Sequence, residues 1–167
     1  PDGVMSIDDS AFESCTSLVT LSIPGSVMSI GFEAFRDSGL TSLIIPDSVK
    51  ILDDRAFYNA PIETLTVGTG LLAWTNTNNS FEPFYNICET LSSADIRMEN
   101  IPMHTFNGCS KLISLNLSGT ETIGSHAFNG VANLNQLAFP DTLTSIGDFS
   151  FANTRNLDEI TLPASLT

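Results

Sequence analysis

The chain has 167 residues, of which 42% are apolar and 15% charged, and 19 acids against 6 bases give a formal net charge of −13. That balance excludes nucleic acid and anionic membrane as partners, since both need clustered Lys and Arg. No apolar run approaches the roughly 18–20 residues that span a bilayer, and no signal peptide stands at the start.

The first unit sets a pattern. Ile7 opens it, Phe12 follows, and Leu18, Leu21 and Ile23 close it as apolar-x-x-apolar-x-apolar. The stretch VTLSI, residues 19–23, alternates, which predicts a strand with Leu21 and Ile23 inward. Pro24 ends it, because proline cannot donate to a ladder. Ala11 and Cys15 are four apart and share a face with Phe12, which predicts one helical turn at each Ala-Phe. Val27 and Ile30 then carry the chain across the other side.

The later units repeat this phrase. Phe12, Phe35, Phe57, Phe84, Phe106, Phe128 and Phe151 are spaced 23, 22, 27, 22, 22 and 23 residues apart. Closing triplets follow, among them Leu40, Leu43 and Ile45; Ile62, Leu65 and Val67; and Leu112, Leu115 and Leu117. A single unit is too short for a core of its own, but stacked units share one, so residues 1–167 are expected to form one solenoid of about seven 22–23-residue repeats. The stacked phenylalanines should be its buried spine. The ends, PDGVMS and LPASLT, stop in phase with the repeat and carry no polar cap, so the chain reads as a slice of a longer array.

The long fourth interval holds an insertion around 74–83, with Trp74, Phe81, Phe84 and Tyr85 in or near it. Phe84 belongs to the spine and Trp74 to a repeat-opening position. Phe81 and Tyr85 are less accounted for, and insertions in repeats map to loops that often bind ligands. Just before it, VGTGLLA, residues 67–73, matches a dinucleotide fingerprint. That motif needs a full helix after the glycines, and here the repeat register already assigns Val67, Leu71 and Trp74.

His104 and His126 are one repeat apart, each two before its Phe, and should stack; Glu82 holds the same offset. A chance polar column is the preferred reading over a metal ladder, and no metal or cofactor is expected. Asp8–Asp9 and Asp53–Asp54 read as solvated turns or caps of helical turns. Cys15, Cys88 and Cys109 fall in a small, mostly buried slot, so free core cysteine is the default, with a Cys88–Cys109 disulfide as the alternative. Sequons stand at Asn78 and Asn116, the second on the sheet face.

The phrase IPGSVMSIGFEAF, residues 23–35, and its copies resemble the BspA-like, treponemal-type leucine-rich repeat. Proline stands where the commoner leucine-rich pattern has Asn or Cys. The resemblance implies an α/β repeat solenoid: a right-handed leucine-rich-repeat superhelix with a parallel sheet on its concave face and short helical turns or second strands on the other side. It also implies a secreted or cell-surface, non-catalytic adhesion or recognition module. The implied partner is a host or neighbouring-cell surface or matrix protein, with a glycan as a further option.

Residues between core positions of the strands face outward. The candidate ligand contacts are Phe81 and Tyr85 in the insertion, then the concave row Ile44, Thr66, Asp95 and Asn116. Two rivals are a carbohydrate-binding module built on the insertion aromatics and a passive spacer with no ligand. No nucleophile–base pair or nucleotide loop supports an enzyme.

Overall fold

A computed structural model describes residues 3–71, the backbone of 73–75, and residues 84 and 86–167. Short strands alternate with turns along the chain: β1 Ser6–Ile7, β2 Ser29–Ile30, β3 Ser42–Ile45, β4 Ile51–Asp53, β5 Thr64–Val67 and β6 Ala73–Thr75. They continue with β7 Ser93–Ile96, β8 Asn100–Ile101, β9 Ser114–Asn116, β10 Thr122–Ile123, β11 Gln136–Ala138, β12 Ser145–Ile146 and β13 Glu159–Thr161. One face carries the longer strands in the order β3-β5-β7-β9, then β11-β13. The opposite face carries β1-β2-β4-β6, then β8-β10-β12. Every pairing is parallel. Alternation on the longer strands puts Leu43, Ile45, Leu65, Val67, Ala94 and Ile96 inside and their neighbours outside.

The spine forms. Adjacent phenylalanine rings stack from Phe12 to Phe151 with centroids 5.1–6.3 Å apart. Phe35, Phe57, Phe84, Phe106 and Phe128 are buried, each burial contributing about 1.5–3 kcal/mol. Proline punctuates the coils as a turn opener: the carbonyls of Pro24, Pro46, Pro140 and Pro163 accept from the amides of Val27, Val49, Leu143 and Leu166.

The expected α/β architecture is not the one observed. The molecule is a flat parallel β-solenoid, not a curved horseshoe with helical turns on a convex side. Among the described residues the only helical piece is a single 3-10 turn, Ile87–Glu89. The Ala-Phe segments are not helical turns because left-handed residues bracket every spine Phe that is described on both sides. Two before it stand Ser10, Glu33, Arg55, His104, His126 and Phe149, with φ of 53–61°. Two after it stand Ser14, Asp37, Asn59, Asn86, Gly108, Gly130 and Asn153, with φ of 54–81°. A right-handed helical turn cannot continue through such residues. Instead, alternate amides bond to the next coil: Ser10 to Phe32, Phe12 to Ala34 and Ser14 to Arg36, at 2.7–2.9 Å. The backbone there is a stack of turns stitched between coils.

Residues 19–23 also depart from expectation, since they are not in a strand. That coil has a neighbour on one side only, and Leu21 and Ile23 are half-buried. Asp9 does not cap a helical turn. Its Oδ1 accepts the Phe32 amide of the next coil at 2.8 Å, as Asp47 accepts that of Thr69.

Candidate recognition surface

Parallel register brings Ile44, Thr66, Asp95 and Asn116 side by side across β3, β5, β7 and β9. Ile44 is 61% exposed and gives the row one apolar end. Asp95 is its electrostatic centre. Its Oδ1 accepts from Asn116 Nδ2 at 2.8 Å, and its Oδ2 accepts from Arg97 Nε at 3.0 Å and Nη2 at 2.6 Å. The carboxylate in turn holds the Arg97 guanidinium above its ordinary pKa, through this bond and its charge. In the neighbouring row Thr64 Oγ1 donates to Ser42 Oγ at 2.9 Å. The surface is a band of short, mutually ordered polar groups with Arg97 beside it. Asn116, the second sequon residue, already spends its amide on Asp95.

Phe81 and Tyr85 lie outside the described residues, as do Glu82 and the sequon at Asn78. Trp74 is described only by its backbone, which pairs with Leu52 in the register that continues Ile30. The glycine fingerprint is therefore ordinary repeat: Gly68 and Gly70 lie where an added Cβ would meet Asp47.

His104 and His126 stack at 4.9 Å, and His126 meets Phe149 at 5.1 Å. Among the described residues no three His, Cys, Asp or Glu side chains gather around a common point. The default reading of free core cysteine holds for none of the three. Cys88 and Cys109 form a disulfide between adjacent coils, 21 residues apart. Cys15 is free and exposed, because its coil is covered on one side only.

A charged cluster on the turn edge escaped the sequence reading. Glu33 is buried at 7% exposure and is gripped by Arg36 at 2.9 Å and Arg55 at 3.3 Å. Both guanidiniums lie within 6 Å of the Tyr58 ring, at 5.6 and 5.8 Å. The spacing of Glu33 and Arg55, 22 residues, was the available signal: in a solenoid it makes them neighbours.

The described residues contain no helix long and apolar enough to cross a membrane. No curated protein matches the chain. Among solved structures, a leucine-rich repeat protein from Bacteroides ovatus is similar at 26% identity and a TM-score of 0.79, over 100% of this chain and 43% of that one. The chain thus spans less than half of that relative. The pneumococcal vaccine antigen PcpA shares the fold at 19% identity and a TM-score of 0.69, over 98% of this chain and 44% of that one. The T. pallidum leucine rich repeat protein does so at 24% and 0.53, over 80% and 74%. The BspA type leucine rich repeat region, in 6 copies, matches residues 5–117 and 99–167. The chain belongs to that family, whose members are interaction and adhesion modules rather than enzymes.

Proposed function

We propose that the chain is an extracellular or cell-surface recognition module that engages a host, neighbouring-cell or matrix protein through its longer-strand face. The observation that carries this reading is the row Ile44, Thr66, Asp95 and Asn116. Its four side chains lie in register across four strands, with an apolar end and an ordered acidic centre. Such a band suits a protein partner that meets polar groups already held in place, which limits the entropy lost on binding. The Cys88–Cys109 disulfide supports an oxidising compartment outside the cytosol.

The test is an array of immobilised matrix proteins and glycans, probed in moderate salt to screen the acidic background. Thr66→Arg and Asn116→Arg should each abolish a saturable protein signal while circular dichroism stays unchanged. Equal binding by both folded variants would remove the row from the interface.

A further inference from the structure

The longer-strand face opens between β9 and β11. Ladders join β3 through β9, and separately β11 to β13, but none joins β9 to β11. Upstream, the amides of Ile113 and Ser114 both donate to the Ser92 carbonyl, at 2.9 and 3.3 Å. Among the described residues, Asn135 and Gln136 make no such bonds to Ile113. The opening coincides with a change in the core. Phe139 fills the last inward slot, held by Ile45, Val67, Ile96 and Leu117 in earlier coils, and its ring meets Phe151 edge-on at 5.5 Å. Overpacking a slot in this way is a known source of backbone shifts.

A groove of about 670 Å³ follows the opening. Its floor contains Leu115 and Leu137, 9% and 8% exposed, whereas Leu43, Leu65 and Ala94 at the same strand position are at 1–2%. Ile113, 57% exposed, makes an apolar rim. Asn135, Gln136, Asp158 and Glu159 make a polar one, and among the described residues no basic side chain lines the groove.

We propose that this groove binds an extended peptide segment carrying lysine or arginine beside aliphatic side chains. The inference rests on the reading of the chain as a recognition module, but names a place separate from the Ile44–Asn116 row. Aliphatic side chains of the segment cover Leu115, Leu137 and Ile113, which removes apolar surface from water. Its cations meet Asp158 and Glu159, in the field of a chain with net charge −13. Its backbone bonds to the amides of Asn135 and Gln136, including the main-chain groups that lack an inter-coil partner. An anionic ligand would meet two carboxylates and no counter-charge.

The probe is the capped peptide acetyl-Lys-Val-Ser-Lys-Val-Ser-Lys-Val-amide, with its Glu-for-Lys counterpart as control, followed by amide chemical shifts of the labelled protein. Shifts should concentrate at 113–115, 135–138 and 158–161. Asp158→Asn with Glu159→Gln should weaken binding about five- to tenfold. Gln136→Trp, which fills the groove, should do the same. Asp148→Asn with Glu121→Gln, an equal change of charge away from the groove, and Thr66→Arg should not. Shifts spread over the whole acidic surface, equal weakening by the Asp148–Glu121 double variant, or no binding would each overturn the proposal. A silent peptide leaves the array experiment to decide the wider reading, so the two failures are distinguishable.

Discussion

The rings of Phe57 and Phe84 stack at 6.2 Å although 27 residues separate them, where every other pair of the spine spans 22 or 23. The extra residues leave the spine unbroken. A solenoid with one shared core transmits the loss of a spine ring to both neighbouring coils. Phe57, fully buried between Phe35 and Phe84, is the clearest case. Phe57→Ala should lower unfolding free energy by about 3–5 kcal/mol, read as a fall in the denaturation midpoint. Phe12→Ala, at an end ring 41% exposed, should lose far less.

Asn86 has φ of 71° and no side-chain bond at the turn it precedes. Its type is there because asparagine tolerates the left-handed region. Asn86→Gly should therefore change stability by under about 0.5 kcal/mol. Asn86→Val should lose about 1–2 kcal/mol, because a β-branched side chain clashes there. Chemical denaturation of the pair measures the difference directly, and equal stability would mean that the turn does not constrain this residue.

The same positions explain how far the fold was legible. The period was plain, because Phe12 through Phe151 and the closing triplets are apolar residues whose burial the stacking requires. The turn conformation was misread as helical from the Ala11–Cys15 spacing, which a helix and a bracketed turn share. The corrective signal was present: Ser14, Asp37, Asn59, Asn86, Gly108, Gly130 and Asn153 are nearly all types that accept positive φ. The other bracket, with Glu33, Arg55 and Phe149, carries no such signal, since inter-coil bonds impose its conformation. The Ile44–Asn116 row followed from strand alternation, whereas the groove depends on a break in strand pairing whose one local sign is Phe139 in a slot that earlier coils fill with aliphatic side chains. Exposure of Cys15 was missed for a related reason, as burial depends on which neighbours a coil has.

The Cys88–Cys109 bond joins the coil after the insertion to the next one. Closing a loop of this length removes about 3 kcal/mol of unfolded-state freedom in the chain-entropy account. In a Cys15→Ser background, which removes the free thiol, reduction should lower Tm, and Cys88→Ala with Cys109→Ala should reproduce that value without reductant. A Tm indifferent to reduction, with intact thiol counts confirming that the bond was broken, would show that coil packing alone holds this region.

Asp54 tests the electrostatics of the turn edge. Its Oδ1 is buried without a hydrogen-bond partner. Desolvation is the first cause that raises its pKa and the negative charge of Asp53 the second, against a smaller lowering by Arg55. A carboxyl whose folded pKa is raised holds its proton longer in the native state than in the unfolded chain. The penalty is absent below the unfolded pKa of about 3.9, where both states are protonated. It grows as pH rises towards the folded value and is constant beyond it. Asp54→Asn should therefore stabilise the protein at pH 7, with a gain that shrinks to nothing near pH 3. Denaturation midpoints of both proteins across that range decide it: a difference independent of pH would assign the effect to packing rather than to charge.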